Sequence, residues 1–313
     1  MKLISENLHI ISKSIREALV NRDEMFIENL LKEQISTFPD AIDLNIGPAK
    51  KNMAGTMRWL THIASDLTDI PLSFDSTNIE EVKDGLRSVK NTERYFINSA
   101  SAEQERLETF TDVAAEYKSN LIALTLNNTI GIPKTADGRM ELAFTIYEKA
   151  LEKGIESSKI YFDPLILPIG VEQSQAKEAL DSIRMFKESF EPGVMTVVGL
   201  SNISNGAPKD FRPLINQVYF ILAAACGLDA AIVDSFDFEI IRINELLTSK
   251  KLHDEDDKLI LDIYEVMQNF GELEDVNYDK NNKKQSSIYK TAEVLLNKNI
   301  FSNNYLATTS DKL

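Results

Sequence analysis

The chain has 313 residues, 43% of them hydrophobic, which is enough apolar material for one large core and argues against a disordered segment. Its 49 acidic against 34 basic residues leave a net charge of −15, without the basic face that nucleic acid or an anionic membrane surface requires. A single cysteine, Cys226, excludes an intrachain disulfide and any Cys-rich zinc or iron–sulfur site, and sits in an apolar run as a buried, inert thiol.

In chain order, short β-rich apolar runs alternate with segments of helical period. The strand candidates are Lys2–Ser5, Ala41–Gly47, Pro71–Asn78, Tyr95–Ser101, Leu121–Asn127, Ile160–Leu167, Thr196–Asn202 and Ala230–Ser235. After the second run, Met53, Met57, Leu60, Ile63, Ala64 and Leu67 fall on one helical face. Capping boxes are expected at Thr77–Glu80 and Ser101–Gln104, and further helices at Gly138–Lys153, Gln173–Glu188 and Pro213–Cys226. Strands separated by crossover-length helices imply a parallel sheet. An open doubly wound sheet shows the same alternation, but its glycine-rich phosphate loop is missing. Eight strand–helix units therefore favour a closed (β/α)8 TIM barrel.

From 244 to 289 the pattern breaks into charged stretches around one amphipathic helix, expected at Leu259–Phe270. We read residues 1–313 as one barrel domain with this segment as an insertion, either a solvated extension or a docking element. The N-terminus lacks a signal peptide's apolar core, and the longest apolar stretch, Val218–Cys226, is far short of the ~20 residues that span a bilayer. A cytoplasmic protein without membrane or nucleic-acid partners is expected.

Nearly every strand candidate ends in Asp or Asn: Asp43 and Asn45, Asp75, Asn98, Asn127, Asp163, Asn202 and Asp234. In a barrel these ends open onto the active-site face. Any one of them serves equally well as an N-cap of the next helix. That alternative is weaker for Asp75 and Asn98, because Thr77 and Ser101 already fit as caps. It is weaker too for Asp163, which precedes Pro164, and for Asn202, which opens an irregular segment. Strand-end lysine, a Ser–His–Asp set and a Cys–His set are all missing, and no histidine or cysteine stands at a strand end as an acid. Acceptor carboxylates beside neutral amides suit a heterocycle with a row of N–H donors, such as a pterin. A divalent cation would suit the same aspartates.

The strings DLNIGPA, LSFDSTN, INSASAE, LTLNNTIGIPK, YFDPLILPIG, VVGLSNIS, FRPLIN and TAEVLLNKNIFSNNYL, in this order, resemble the pterin-binding methyltransferases. The resemblance is to methyltetrahydrofolate:corrinoid/iron–sulfur-protein methyltransferase and to the tetrahydrofolate:corrinoid-protein methyltransferases of O-demethylation and betaine systems. It covers most of the chain outside the insertion. It implies a homodimeric barrel that moves a methyl group between N5 of tetrahydrofolate and the cobalt of a corrinoid (cobalamin) on a separate protein, in either direction. It also implies that 5-methyltetrahydrofolate and tetrahydrofolate are substrates and that no metal is bound. By this resemblance Asp75, Asn98 and Asp163 hold the pterin, and Asn202 approaches N5 and its methyl group. Asp75 shares in catalysis, and Arg212 faces the corrinoid side. Asp43, Asn45, Asn127 and Ser201 are supporting candidates. The opening ISENLH departs from the family's glycine- and arginine-containing version, although Glu6 is kept. Lys50, Lys51, Lys134 and Lys209 are candidates for the anionic folate tail. Dihydropteroate synthase and a non-catalytic pterin or corrinoid-protein binding module are the alternatives. The first would carry a lysine–serine motif near strand seven and Arg-x-His near strand eight, where this chain reads GLSN and VDSF.

Overall fold

A computed structural model describes residues 1–48 and 53–306. Eight parallel strands close into a barrel in simple sequence order. They are β1 (Lys2–Ser5), β2 (Ala41–Gly47), β3 (Leu72–Ser76), β4 (Phe96–Ser101), β5 (Asn120–Leu124), β6 (Ile160–Asp163), β7 (Met195–Gly199) and β8 (Ala230–Val233). The expected strands from the third onward are too long at the C-terminal end except for β4. Their last residues lie past the final ladder partners, in loops freed from sheet geometry.

Register decides which side chains face inward. Ile4 pairs with Ala41, Asp43 with Ser73 and Asn45 with Asp75; Asp75 pairs with Asn98 and Leu124 with Asp163. With a period of two, one parity lines the bore and the other meets the helices. The lower bore is filled by Ile4, Ala41, Phe96, Ile122, Tyr161, Val197, Ala230 and Ile232, so the barrel is plugged beneath its mouth. The outward residues Ile42, Leu44, Phe74, Ile97, Leu121 and Phe162 join the layer between strands and helices. Strands buried on both faces explain why the sequence shows continuous apolar runs rather than alternation.

Helices α1 (Lys13–Asn21) and α2 (Glu24–Ile35) both lie between β1 and β2; α3 (Thr56–Leu67) to α8 follow one per strand. These are α4 (Ile79–Arg87), α5 (Gln104–Tyr117), α6 (Ala136–Glu152), α7 (Ser174–Ser189) and α8 (Arg212–Ala225). The cap of α4 is Asn78, whose side chain accepts from Glu80 N at 3.1 Å, and not Thr77 as the capping box implied. Ser101 accepts only a long bond, 3.4 Å, from Glu103 N. Helix α3 has no side-chain cap of its own. Buried Glu81 of α4 supplies it, accepting from Gly55 N at 2.7 Å and Met57 N at 2.9 Å.

After β8 come α9 (Phe238–Ser249), α10 (Glu255–Gln268) and α11 (Lys283–Leu295). The amphipathic helix expected at Leu259–Phe270 thus starts earlier, at an Asp254 cap that accepts from Asp257 N at 2.8 Å. It buries Leu259, Ile260, Leu261 and Ile263 in the core shared with α8. Among the described residues no helix is long and apolar enough to cross a membrane.

Candidate active site

The C-terminal ends of the strands surround a cavity of ≈ 1300 Å³. The inward parity that carries apolar residues lower in the bore carries Glu6, Asp43, Asn45, Asp75, Asn98, Asp163 and Asp234 at this level, and all line the cavity. Asn202 and Ser201 reach it from the short turn Leu200–Ser204 that follows β7. Arg212, at the start of α8, lines it too, with Nε tied to Ala207 O at 2.8 Å.

Asn45 donates its side-chain amide to the Asp75 carboxylate, and Asn98 Nδ2 donates to Asp43 Oδ1 at 3.3 Å. Burial pushes the Asp43 carboxyl up to about 6. Burial, then the charge of Asp43, holds Asp75 well above the usual carboxylate range, so the two carboxyls of this facing pair resist being ionised together. Asp163 accepts from Leu165 N at 2.7 Å, because Pro164 turns the chain back over the strand end; burial lifts its carboxyl to about 7. Residues expected together across β2, β3, β4, β6 and the β7 turn are therefore brought to one cavity.

Two expectations place differently. Asn127 does not line the cavity: its side chain accepts from Thr129 N at 3.0 Å and Ile130 N at 2.9 Å, closing the turn after β5. The neighbouring Asn128 faces the cavity instead. Lys134 lies outside the lining, 3.5 Å from Glu172, while Lys209 is within it. Lys50 and Lys51 fall outside the described residues.

Other lining residues had no role in the sequence reading. His9, four residues beyond β1, was not singled out: it pairs through its backbone with Asn45 of β2 and lines the cavity. Burial lowers its pKa, so the ring is neutral, and Nδ1 is buried without a partner. Arg106, in the first turns of α5, sends both Nε and Nη2 to Ser99 O at 2.9 and 2.6 Å, and lies 4.7 Å from the Phe110 ring centroid. It is the cation nearest the Asp43–Asp75 pair in effect, pulling Asp75 down against the burial. The sequence signal was present only as an arginine one turn into a helix that starts behind a polar strand end.

The arrangement offers a ring of acceptors and amides on one side and the cations Arg106, Lys209 and Arg212 among the residues closing the mouth. Among the described residues no group of three or more His, Cys, Asp or Glu side chains is arranged to hold a metal ion. It suits a flat polar heterocycle with an anionic tail better than a bare cation.

Comparison with known proteins agrees. The chain is 27% identical over 236 residues to the methylcorrinoid:tetrahydrofolate methyltransferase of Eubacterium limosum, covering 75% of this chain and 85% of that protein. It is 28% identical over 245 residues to the methionine synthase of Mycobacterium leprae, but spans only 20% of that longer protein. Among solved structures, Xanthomonas albilineans dihydropteroate synthase with 4-aminobenzoic acid superposes with a TM-score of 0.58 at 16% identity, over 80% of this chain and 94% of that one; this likeness shows the fold alone. The family described as pterin binding enzyme matches residues 36–234, more than half of the chain and seven of its eight strands. The chain belongs to the pterin-binding enzymes.

Proposed function

We propose that this protein transfers a methyl group between N5 of tetrahydrofolate and the cobalt of a corrinoid carried by a separate protein. The observation that carries the reading is the set Asp75, Asn98 and Asp163, three inward strand ends presenting acceptors to one cavity that the Asn202 turn also lines. A pterin's amino group and ring N–H meet a carboxylate in a two-point contact, and the amide of Asn98 serves its carbonyl edge. Asp163 and Asp75 hold that edge, Asp43 and Asn45 keep Asp75 in place, and Asn202 attends N5. Ser201 supports Asn202, and Arg212 faces the incoming corrinoid protein. The relative from Eubacterium limosum supports this substrate pair by its name. A homodimer working in the cytoplasm belongs to the same reading.

The chemical difficulty is the leaving nitrogen. A methyl group departs from N5 far more readily when N5 is protonated, so a site that stabilises the protonated form lowers the barrier. The barrel's task is positioning and polarisation, since the corrinoid supplies the nucleophilic cobalt. The structural likeness to dihydropteroate synthases does not favour that activity, because β7 and β8 end in GLSN and VDSF rather than that enzyme's expected lysine–serine and Arg-x-His motifs.

The test is to mix the protein with tetrahydrofolate and a methylated corrinoid and follow cobalt oxidation state by absorbance. Methyl exchange is the expected result. Tight folate binding without exchange in either direction leaves only the binding-module reading.

A further inference from the structure

The proposed pterin wall occupies β2, β3, β4 and β6; on the remaining arc of the mouth, β7, β8 and β1, only the segment after β7, with Ser201, Asn202 and Arg212, has an assigned task. The central group of this arc is Glu6. The residue follows β1, its N–H donates to Val233 O of β8 at 2.9 Å, and its side chain faces the cavity. The Ser201 hydroxyl donates to Glu6 Oε1, and Ser201 immediately precedes Asn202.

The other carboxylates at the strand ends are tied down by amide donors. Asp234 is held by Asn7 Nδ2 at 2.6 Å and Phe236 N at 2.9 Å, Asp163 by Leu165 N at 2.7 Å, Asp75 by Asn45 and Asp43 by Asn98. Among the described residues, Glu6 has a hydroxyl as its only side-chain hydrogen-bond donor and no cation in a salt bridge. A hydroxyl both donates and accepts, so it can pass a proton along, which an amide does poorly.

We propose that Glu6 holds the proton exchanged during methyl transfer, passing it to and from N5 of the bound folate through the Ser201 hydroxyl. This rests on the methyl-transfer reading above and adds to it the group that supplies the proton. When methyl leaves folate, the Glu6 carboxyl gives its proton through Ser201 to N5. The N5–CH3 bond then breaks with its electron pair staying on N5, and the methyl bonds to the electron pair of cobalt(I), giving methylcobalt(III). The Glu6 carboxylate regains a proton from solvent. In reverse, the N5 lone pair takes the methyl, the cobalt–carbon pair returns to cobalt, and the proton released from N5 goes to Glu6.

The surroundings suit this role. Glu6 is near Asp234 of the β8 end and Asp43 of β2, with uncharged Ser201 from the β7 turn; neutral His9, Lys209 and Arg212 line the same cavity. Burial, reinforced by the charges of Asp234 and Asp43, raises its carboxyl to about 7, the range in which an acid at neutral pH works best.

The experiment uses Glu6→Gln, whose amide oxygen still accepts from Ser201 but cannot titrate. With methyltetrahydrofolate and cobalt(I) cobalamin, the wild-type single-turnover rate should fall as pH rises through about 7. In E6Q that limb should vanish and the rate drop by on the order of 10²-fold, with folate affinity changed less than roughly threefold. Ser201→Ala should slow transfer similarly. Infrared difference spectra of the ligand-free proteins give a readout independent of turnover. The protonated-carboxyl absorption titrating near neutrality should be the same in the wild type and in S201A and should lose one carboxyl's share in E6Q, where the contributions of Asp163 and Asp43 remain. A pH limb that persists in E6Q, or a band unchanged by the substitution, overturns the proposal. If the wild type transfers no methyl group, the function proposed above fails instead, and the infrared comparison still decides whether Glu6 holds the proton.

Discussion

Asp163 and Asn202 sit at the ends of neighbouring strands yet are held in opposite ways. The Asp163 carboxylate is fixed by a backbone N–H and lines the cavity. Its removal costs a charge-assisted contact, so Asp163→Ala should weaken folate binding by roughly 10- to 100-fold while the rate at saturation changes less. Asn202→Ala should do the converse, slowing transfer by on the order of 10²-fold with a small change in affinity. Equal effects of both substitutions on both quantities would contradict the division of roles. Gly199 supplies a sharper probe of Asn202. Its backbone, at φ −80 and ψ 93, is open to alanine, but a Cβ there would stand 3.0 Å from Asn202 Nδ2. Gly199→Ala should therefore displace that amide and slow methyl transfer by about tenfold, leaving folate affinity and thermal stability near the wild type. A full rate in G199A would mean that the resting place of the amide over Gly199 does not matter.

Helix α3 and helix α4 depend on each other through Glu81. Its carboxylate caps the N-terminus of α3, which begins beyond a loop and has Gly55 at its cap position, while its own backbone belongs to α4. Glu81→Ala leaves two N–H groups without partners and should cost about 1–2 kcal/mol, read as a lower urea midpoint at unchanged m value. The capping boxes at Thr77 and Ser101 were legible as helix starts but assigned the wrong capping atoms. Asn78 and Thr77 are equally good caps by type, and only the angle at which β3 turns into α4 selects Asn78. Gly85 shows the same dependence on a neighbour. A Cβ there would meet the Phe74 ring at 2.7 Å, so α4 lies against β3 at a distance only glycine allows, and no local pattern announces this.

The assembled barrel buries carboxyls that the unfolded chain leaves in water. Glu6 and Asp163, at about 7, and Asp43, at about 6, all bind protons more tightly folded than unfolded, where such groups titrate near ~4. A carboxyl raised in this way contributes stability that is complete below the unfolded value and lost as pH rises through the folded one. The ligand-free protein should therefore lose melting temperature, by roughly 5 °C, between about pH 6 and pH 8, and E6Q and Asp163→Asn should flatten that slope. An unchanged melting temperature across the window would mean that these groups are ionised throughout. The segment from 244 to 289 also takes its character from the assembly. The amphipathic helix expected there packs its apolar face with α8 as α10, while the charged sequence conceals Asp257, which is fully buried against Arg242.

Eight β-rich runs at helix-plus-strand spacing, seven of them carrying Asp or Asn toward the end, were readable because periodicity and strand-end polarity are local properties of the chain. They led to the barrel, to its working end, and through motif order to the pterin-binding enzymes. Membership of the site was not readable in the same way. Asn127 was named with the strand ends but spends its side chain on a turn, while Asn128, His9 and Arg106 face the cavity. Whether a side chain enters the bore depends on register with strands far away in sequence. Whether a carboxyl keeps its proton depends on which other groups those strands bring beside it. Both are long-range consequences of closing the barrel, and they gather a row of polar strand ends around one cavity in which burial raises the Glu6 carboxyl.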